Sequence, residues 1–302
     1  MARDLTTRVF TPTVPSEQAE QKRDFEAFVA YMNQKAAEIG MTESVFNDAA
    51  GMHNFSTARD LLRLVVYADQ YPVFRQVWAQ DKYTATVEGV NPRKQDCFVK
   101  SKHPDLNDHY HVLGRKGGGL IWPRSNLYVY NLAAILEIPG SADRLAVVTM
   151  YAPGGNQEPN NRFQATTEVA DIAMALYKDP AADVSAMPVC CENAIIAVLP
   201  PEGKCYDDLK ILYEKDADTL GRPMSISKVL TTVCVLDHVQ DLSRKITYDA
   251  FDANIGPFYV SDFAPGDMLT YIDALHAMML ESSNVTAQML ARSTGQIIAA
   301  KA

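Results

Sequence analysis

The order of helical and strand-like segments most constrains how this chain of 302 residues can fold. Strand patterns cluster between about residues 110 and 215, and helical patterns lie on both sides of them. Neither helical flank looks self-contained, so the two flanks are expected to pack together. The sequence therefore predicts one α/β lobe from the middle of the chain and one all-helical lobe from its two ends.

Local patterns define the individual elements. Thr57, followed by Asp60 three residues later, predicts a helix start, and Gly40 predicts the end of the helix before it. Residues 139–141 (Pro-Gly-Ser) predict a hairpin. The predicted helices are Asp24–Ile39, Arg162–Tyr177, Ser225–His238, Thr270–Leu280 and Asn284–Ser293, and the predicted strands are Leu127–Ile138, Leu145–Ala152, Ala194–Leu199 and Leu209–Tyr213.

The length of the chain is near the upper limit for a single domain. We interpret residues 1–302 as one domain. The helical lobe is assigned to residues 1–105 and 222–302, and the α/β lobe to residues 106–221. Residues 180–188, rich in Ala, Asp, Ser and Pro, are interpreted as a linker, and residues 1–20 as a loop or arm.

Composition excludes several classes of function. The formal net charge of -9 argues against nucleic acid or an anionic membrane surface as a partner, because both require basic patches. No apolar run is long enough to span a bilayer. The N-terminus lacks the apolar core of a secretory signal, so no export signal is predicted.

Cysteine usage predicts neither a metal site nor a cofactor. The five cysteines are an odd number and have no metal-type spacing, so free thiols in a reducing environment are favoured. These residues are Cys97, Cys190, Cys191, Cys205 and Cys234.

A candidate nucleophile lies at the start of a predicted helix. Ser225 is followed three residues later by Lys228, which places both on one helix face. A lysine amine can accept the proton of a serine hydroxyl if burial or nearby positive charge keeps the amine neutral. A chain of this length contains about one Ser-x-x-Lys by chance, and an N-cap serine followed by a solvent-exposed lysine is the alternative interpretation.

Two further segments strengthen the chemical interpretation. Ser282-Ser283-Asn284 lies between two predicted helices, and Lys116 is followed by three glycines immediately before a predicted strand. Glycines at such a place allow a substrate backbone to approach closely. A helix cap and a plain turn would explain the two segments separately, but the joint occurrence of all three segments favours a catalytic site.

Together, these segments resemble the active-site motifs of the D-alanyl-D-alanine carboxypeptidase family, which is related to the class A β-lactamases. The resemblance covers nearly the whole chain and implies an α/β (α+β) fold of the DD-peptidase and β-lactamase class, with an antiparallel sheet flanked by helices. The segments that carry it are Ser225-x-x-Lys228, Ser282-x-Asn284 and Lys116-x-Gly118, with similar flanks at 28–36, 40–41, 56–61 and 212–218.

The order of the motifs differs from that of the family. The family runs from the nucleophile through Ser-x-Asn to Lys-Thr-Gly, whereas Lys116 precedes Ser225 here. Reading residues 189–302 first and residues 1–178 afterwards restores the family order. The chain therefore resembles a circular permutant joined through the linker at residues 180–188.

The resemblance implies a role for each polar residue of the motifs. Ser225 would form an acyl-enzyme, with Lys228 accepting its proton. Ser282 would relay a proton to the leaving amine, Asn284 would hold the substrate amide, and Lys116 would keep Lys228 neutral.

The resemblance also implies a set of substrate-binding residues. The backbone N–H groups of Ser225 and Gly119 would form the oxyanion hole, with Gly117 and Gly118 beside it. Arg162 is a candidate anchor for a substrate carboxylate. The implied partner is a small peptide of the D-Ala-D-Ala type or an ester or amide analogue, with β-lactams as candidate ligands.

Gly117 departs from the family pattern. The family has a threonine or serine at this position, whose hydroxyl helps to bind the free carboxylate of the substrate. The sequence therefore leaves open an esterase or amidase with relaxed carboxylate recognition, and a non-catalytic protein of the same fold. The family acts outside the cytoplasmic membrane, and without an export signal the compartment stays open.

Overall fold

Two antiparallel sheets and the helices around them form the fold of the computed structural model. The structure describes residues 15–99, 104–122, 127–154, 161–201, 206–253 and 263–301.

The larger sheet is antiparallel throughout and has the strand order β3-β4-β5-β6-β7. Helix α5 covers one face of the sheet, and helices of the other lobe cover the opposite face. Alternate residues of one strand therefore enter two different cores, because successive side chains point to opposite faces. The elements are β3 (Val112–Trp122), β4 (Leu127–Glu137), β5 (Arg144–Gly154), α5 (Arg162–Lys178), β6 (Asn193–Leu199) and β7 (Lys210–Lys215).

The remaining helices precede or follow the strands of this sheet in the sequence. Helices α1 and α8 pack so closely that a Cβ atom on Gly295 would lie 1.8 Å from the carbonyl oxygen of Asp24. The helices are α1 (Pro15–Glu38), α2 (Ala58–Ala68), α3 (Pro72–Trp78), α4 (Pro104–His109), α6 (Lys228–His238), α7 (Tyr271–Leu280) and α8 (Asn284–Ala299).

A smaller sheet with the order β2-β1-β9-β8 lies among these helices, where the sequence predicts an all-helical lobe. In β1 the apolar residues Tyr83, Ala85 and Val87 alternate with polar ones, and Ala85 and Val87 are fully buried. This is a strand pattern that the sequence analysis did not identify. The strands are β1 (Lys82–Gly89), β2 (Arg93–Phe98), β8 (Lys245–Thr247) and β9 (Asp267–Thr270).

The mixed α/β fold with antiparallel sheets flanked by helices confirms the predicted fold class. The predicted cap is confirmed as well, because Thr57 Oγ1 accepts a hydrogen bond of 3.1 Å from the Asp60 N–H. Helix α1 begins at Pro15, so the part of the predicted arm from residue 15 to residue 20 is helical. This first part is polar and lacks apolar periodicity, but Glu, Gln and Ala favour helix.

Four of the five cysteines, those at positions 97, 190, 191 and 234, are free thiols, and Cys205 lies outside the described residues. None of the helices in the described ranges is long and apolar enough to cross a membrane. The described residues also contain no group of three or more His, Cys, Asp and Glu side chains suited to a metal ion.

A partly buried carboxylate, Asp237 of α6, joins helices of the helical lobe. It accepts hydrogen bonds from Tyr31 (2.8 Å) and Tyr71 (2.6 Å) and pairs with Lys35 Nζ at 3.0 Å. Burial raises the pKa of Asp237, but the hydrogen bonds from Tyr71, Tyr31 and Lys35 outweigh it and hold the pKa below its usual value. The ionised form therefore stabilises the fold.

We expect Asp237→Asn to lower the free energy of unfolding by about 2–3 kcal/mol, because bonds to a charged acceptor are lost. The folded-state pKa is depressed, so this stabilisation is present above the unfolded-state pKa of about 3.9 and is lost as the pH falls through the folded-state pKa. Chemical denaturation across pH tests this, with Asp208→Asn, a change at an exposed residue, as control. A difference between the Asp237 variant and the unaltered chain that does not shrink below about pH 4 would contradict the expectation.

Candidate active site

The turn that carries Ser225 is held in an uncommon conformation. Residues 224–227 form a 3-10 turn that leads into α6, and Met224 has a φ of +54°. A left-handed φ is uncommon outside glycine and is found where surrounding structure enforces it. Gly118 of β3 lies against this turn, since a Cβ atom there would be 2.9 Å from Met224 Cβ and 3.1 Å from Ser225 N. The strand edge and the serine are therefore in direct contact.

Lys228 lies at the centre of the polar contacts. Its side chain is fully buried, and its Nζ atom lies 3.0 Å from Ser225 Oγ. The same nitrogen lies 2.7 Å from Asn284 Oδ1 and 2.7 Å from the carbonyl oxygen of Ala50. The predicted pair of Ser225 and Lys228 is thus within hydrogen-bond distance, and Ser225 itself is half-buried.

The second predicted motif lies at the start of α8. Ser283 caps this helix by accepting a hydrogen bond of 3.2 Å from the Thr286 N–H. The cap places Asn284 in the first turn and leaves Ser282 just before it, with a φ of +62°. Asn284 faces Lys228 as described above, so one short segment brings two polar side chains to the site.

The third predicted motif lies inside a strand rather than before one. Lys116 and the three glycines are in the middle of β3, which is an edge strand of the large sheet. Glycine within a strand often marks a place where another backbone approaches closely, and here the turn before Ser225 approaches Gly118. Lys116 is buried, and its Nζ atom lies 2.9 Å from Ser282 Oγ and 3.1 Å from the carbonyl oxygen of Gly117.

Arg162 lies near the same edge of the sheet. A Cβ atom on Gly119 would be 3.6 Å from Arg162 Nη2, and the guanidinium lies over the ring of Tyr130 at 4.6 Å. Burial lowers the pKa of Arg162 to about 10, so the group still carries its charge at neutral pH. The structure thus places a buried cation next to the glycines of β3.

Two residues that the sequence analysis did not single out hold the chain just before the nucleophile. Asn131 Nδ2 donates to the carbonyl oxygen of Arg222 at 2.9 Å, and Tyr151 Oη accepts from the Arg222 N–H at 2.6 Å. Asn131 Oδ1 in turn accepts from the Tyr151 N–H at 2.9 Å. These partners are 91 and 71 positions from Arg222 in the sequence, so no local pattern indicates them.

The arrangement is suited to acyl transfer. A hydroxyl lies beside a buried amine, a second amine lies near a second hydroxyl, and the backbone N–H of Ser225 lies against Gly118 of the strand edge. Complete burial of an amine favours its neutral form, which is the form that can take a proton from serine.

Comparisons with known proteins find similarity to peptidases. A family profile described as D-alanyl-D-alanine carboxypeptidase matches residues 24–118. A D-alanyl-D-alanine endopeptidase of Escherichia coli (strain K12) is 33% identical over 96 residues, which are 31% of this chain and 30% of the relative. The resemblance to the D-alanyl-D-alanine peptidases is confirmed. A D-alanyl-D-alanine endopeptidase of Pseudomonas aeruginosa is 48% identical over 94 residues, 30% of each chain.

The extent of these matches is limited. The chain spans about 30% of the length of the D-alanyl-D-alanine peptidases that it matches. The profile match includes Lys116 and Gly118 and ends before Ser225 in the sequence. No solved structure matches the chain. The roles of the residues beyond the matched segment therefore depend on the geometry described above.

Proposed function

We propose that the protein is a serine-type hydrolase of D-alanyl-D-alanine peptides, with Ser225 as the nucleophile. The observation that supports this proposal most is the contact of 3.0 Å between the buried Lys228 Nζ and Ser225 Oγ. The matched profile and the names of the two relatives support the peptide substrate class.

In the proposed reaction, Ser225 Oγ attacks the carbonyl carbon of the scissile bond and its proton passes to Lys228. The N–H groups of Ser225 and Gly119 stabilise the oxyanion, a contribution that is typically about 3–4 kcal/mol for one donor. The tetrahedral intermediate expels the amine, and Ser282 relays to it the proton that Lys228 took from Ser225. Water then attacks the ester, releases the acid and restores the Ser225 hydroxyl.

The neighbouring residues supply orientation and charge in this proposal. Asn284 shares its carboxamide between Lys228 and the substrate amide, and Lys116 places a second positive charge near the site, which favours the neutral form of Lys228. β3, the edge strand of the larger sheet in the described part of the chain, is the proposed binding strand for an extended peptide. Arg162 is the proposed anchor for a substrate carboxylate.

A second candidate function follows from Gly117. Without a side-chain hydroxyl at this position, recognition of a free carboxylate loses one donor. An esterase or amidase that accepts uncharged termini is therefore the alternative. The names of the two relatives, both endopeptidases, agree with a scissile bond inside a longer peptide.

We also propose that the chain is a circular permutant of the family. The motif order supports this, because the segment that matches the family profile precedes Ser225. The packing supports it too: α5 contacts β6 across the irregular residues 180–188, and α1 contacts α8.

Product analysis with matched peptides tests the proposed function. We would supply a peptide ending in D-Ala-D-Ala, its C-terminal amide, the same peptide extended beyond the D-alanines, and a simple ester, and identify the products by mass spectrometry. Cleavage of the D-Ala-D-Ala bond in any of them supports the peptidase. Cleavage only of a simple ester indicates the alternative, and no reaction with any acyl donor indicates a non-catalytic protein.

We expect Gly117→Thr to increase the rate of acylation by benzylpenicillin about 10-fold, because one hydrogen bond to a charged group contributes about 1.5 kcal/mol or more. Gly117→Ala is the matched control, since it adds a Cβ atom without a hydroxyl. Stopped-flow measurement of acylation compares the three proteins. Equal rates for the threonine and alanine variants would contradict the proposed effect of the missing hydroxyl.

A further inference from the structure

A loop at residues 47–54, here called the Asp48 loop, is organised around one carboxylate. Asp48 is buried, and four successive backbone N–H groups donate to it. Such a ring of donors fixes the backbone of a short loop tightly, because each bond to an ionised acceptor is stronger than one between neutral groups. The donors are Ala50 (2.8 Å), Gly51 (2.6 Å), Met52 (3.0 Å) and His53 (2.7 Å).

The carbonyl groups of this loop hold the nucleophile helix. The carbonyl oxygen of Ala50 accepts from Lys228 Nζ at 2.7 Å, and that of Ala49 accepts from Thr231 Oγ1 at 2.8 Å. Lys228 and Thr231 are three residues apart, so the two contacts lie on one face of α6. The loop therefore contacts the same face of the helix that carries the proposed base.

The loop also lies against the turn before Ser225. Gly51 has a φ of +95°, and a Cβ atom there would lie 1.9 Å from the carbonyl oxygen of Met224. Any larger residue at position 51 would displace either the loop or the turn. The Asp48 loop thus touches both Lys228 and the segment that presents the serine.

The contacts of Lys228 show why the position of Ala50 matters for the chemistry. A neutral amine has two N–H donors and one lone pair. The backbone carbonyl oxygen of Ala50 and the side-chain oxygen Oδ1 of Asn284 can only accept hydrogen bonds. Each therefore accepts one N–H of the neutral Lys228 amine. The lone pair then faces Ser225 Oγ, which is 3.0 Å away. A shift of Ala50 would release one N–H and allow the lone pair to turn away from the serine.

We propose that Asp48 is a positioning residue for Lys228, and that it acts by holding the Ala50 carbonyl in place. The inference rests on the proposed function, in which Lys228 accepts the proton of Ser225. It adds to that function a residue that touches neither the substrate nor the reacting atoms.

The test compares Asp48→Ala and Asp48→Asn with Asp60→Ala as a matched control. Asp60 is also buried and accepts from the Glu43 N–H (3.0 Å) and Ser44 Oγ (2.8 Å), so it organises a neighbouring loop. Acylation by a fluorescent penicillin is followed by stopped flow over a range of concentrations. This separates the limiting acylation rate from the half-saturation concentration, and thermal unfolding reports the stability of each variant.

We expect Asp48→Ala to lower the limiting acylation rate about 10- to 100-fold, because a displacement of about 1 Å in a catalytic group has an effect of this size. The half-saturation concentration should change less than about 2-fold, because the substrate contacts remain. Asp48→Asn keeps one acceptor oxygen and should recover part of the rate, to about 3- to 10-fold below the unaltered chain. Asp60→Ala should lose stability and keep the rate.

The outcomes distinguish a failure of the inference on Asp48 from a failure of the proposed function. A limiting rate within about 2-fold of the unaltered chain in both Asp48 variants, or an equal loss in Asp60→Ala, overturns the inference alone. If Asp48→Ala does not fold, Asp48→Asn decides in the same way. Absence of any acylation in the unaltered chain overturns the proposed function and this inference with it.

Discussion

Replacing Ser225 by alanine is expected to abolish covalent capture of acyl donors and to lower peptide hydrolysis by about 10³- to 10⁶-fold. The loss follows from the chemistry, because without the Oγ atom no acyl-enzyme forms and only weak stabilisation of water attack remains. The Ser225 side chain is half-buried and lies in the turn before α6, where its Oγ atom is 3.0 Å from Lys228 Nζ. Because only this small side chain is shortened, the fold should remain intact. The measurement is the rate of peptide hydrolysis together with the amount of labelled protein.

Ser227 provides a matched control for this change. It lies two residues further along the same 3-10 turn and is fully buried, and its hydroxyl has no hydrogen-bond partner among the described residues. Ser227→Ala should therefore retain labelling and hydrolysis to within about 3-fold. If Ser227→Ala lost activity while Ser225→Ala kept it, the assignment of the nucleophile would be wrong.

Lys228→Ala is expected to have the second largest effect, a loss of about 10³-fold or more in the rate of acylation. The serine hydroxyl remains, but no other amine lies within hydrogen-bond distance of Ser225 Oγ in the described part of the chain. The change also removes the Lys228 donor from the Asn284 and Ala50 oxygens, and the loss of a partner costs about 1–3 kcal/mol of stability for a buried group. Burst labelling with a fluorescent penicillin measures the acylation rate directly.

Stability and chemistry must be separated for the lysine variant. Lys35 is another buried lysine, and it pairs with Asp237 and Glu38 away from the contacts of Ser225. We expect Lys35→Ala to lower the thermal unfolding midpoint while acylation proceeds at nearly the normal rate. A Lys228→Ala variant that is folded and acylated as fast as Lys35→Ala would show that Lys228 is not the base.

Much of the larger sheet and its neighbouring helices could be predicted from the sequence. The hairpin at residues 139–141 and the cap at Thr57 depend on contacts within a few residues, and such contacts leave a local pattern. The pairing of the small sheet could not be predicted in this way, although β1 itself has the alternating pattern of a strand. Its central strands β1 and β9 are far apart in the sequence, and their pairing is decided by the packing of the lobe.

The site shows the same division between local and distant contacts. Ser225 and Lys228 are three residues apart, so their spacing alone predicts a common helix face. The contact of Lys228 with Ala50 joins residues 178 positions apart and uses a backbone carbonyl, so the identity of residue 50 gives no signal. Asn131 was missed for the same reason, because it binds a backbone carbonyl 91 positions away. Asp48 accepts from N–H groups only two to five residues away, but the link from its loop to Lys228 is the distant contact with Ala50.

Localisation of an acyl adduct tests the central proposal most directly. The unaltered chain and Ser225→Ala would be incubated with benzylpenicillin, digested, and analysed by tandem mass spectrometry. We predict an added mass of one penicilloyl group on the peptide that contains Ser225, located on that serine, and no adduct in the Ser225→Ala variant. An adduct on any other residue, or hydrolysis of the peptide substrate that persists in Ser225→Ala, would contradict the proposal.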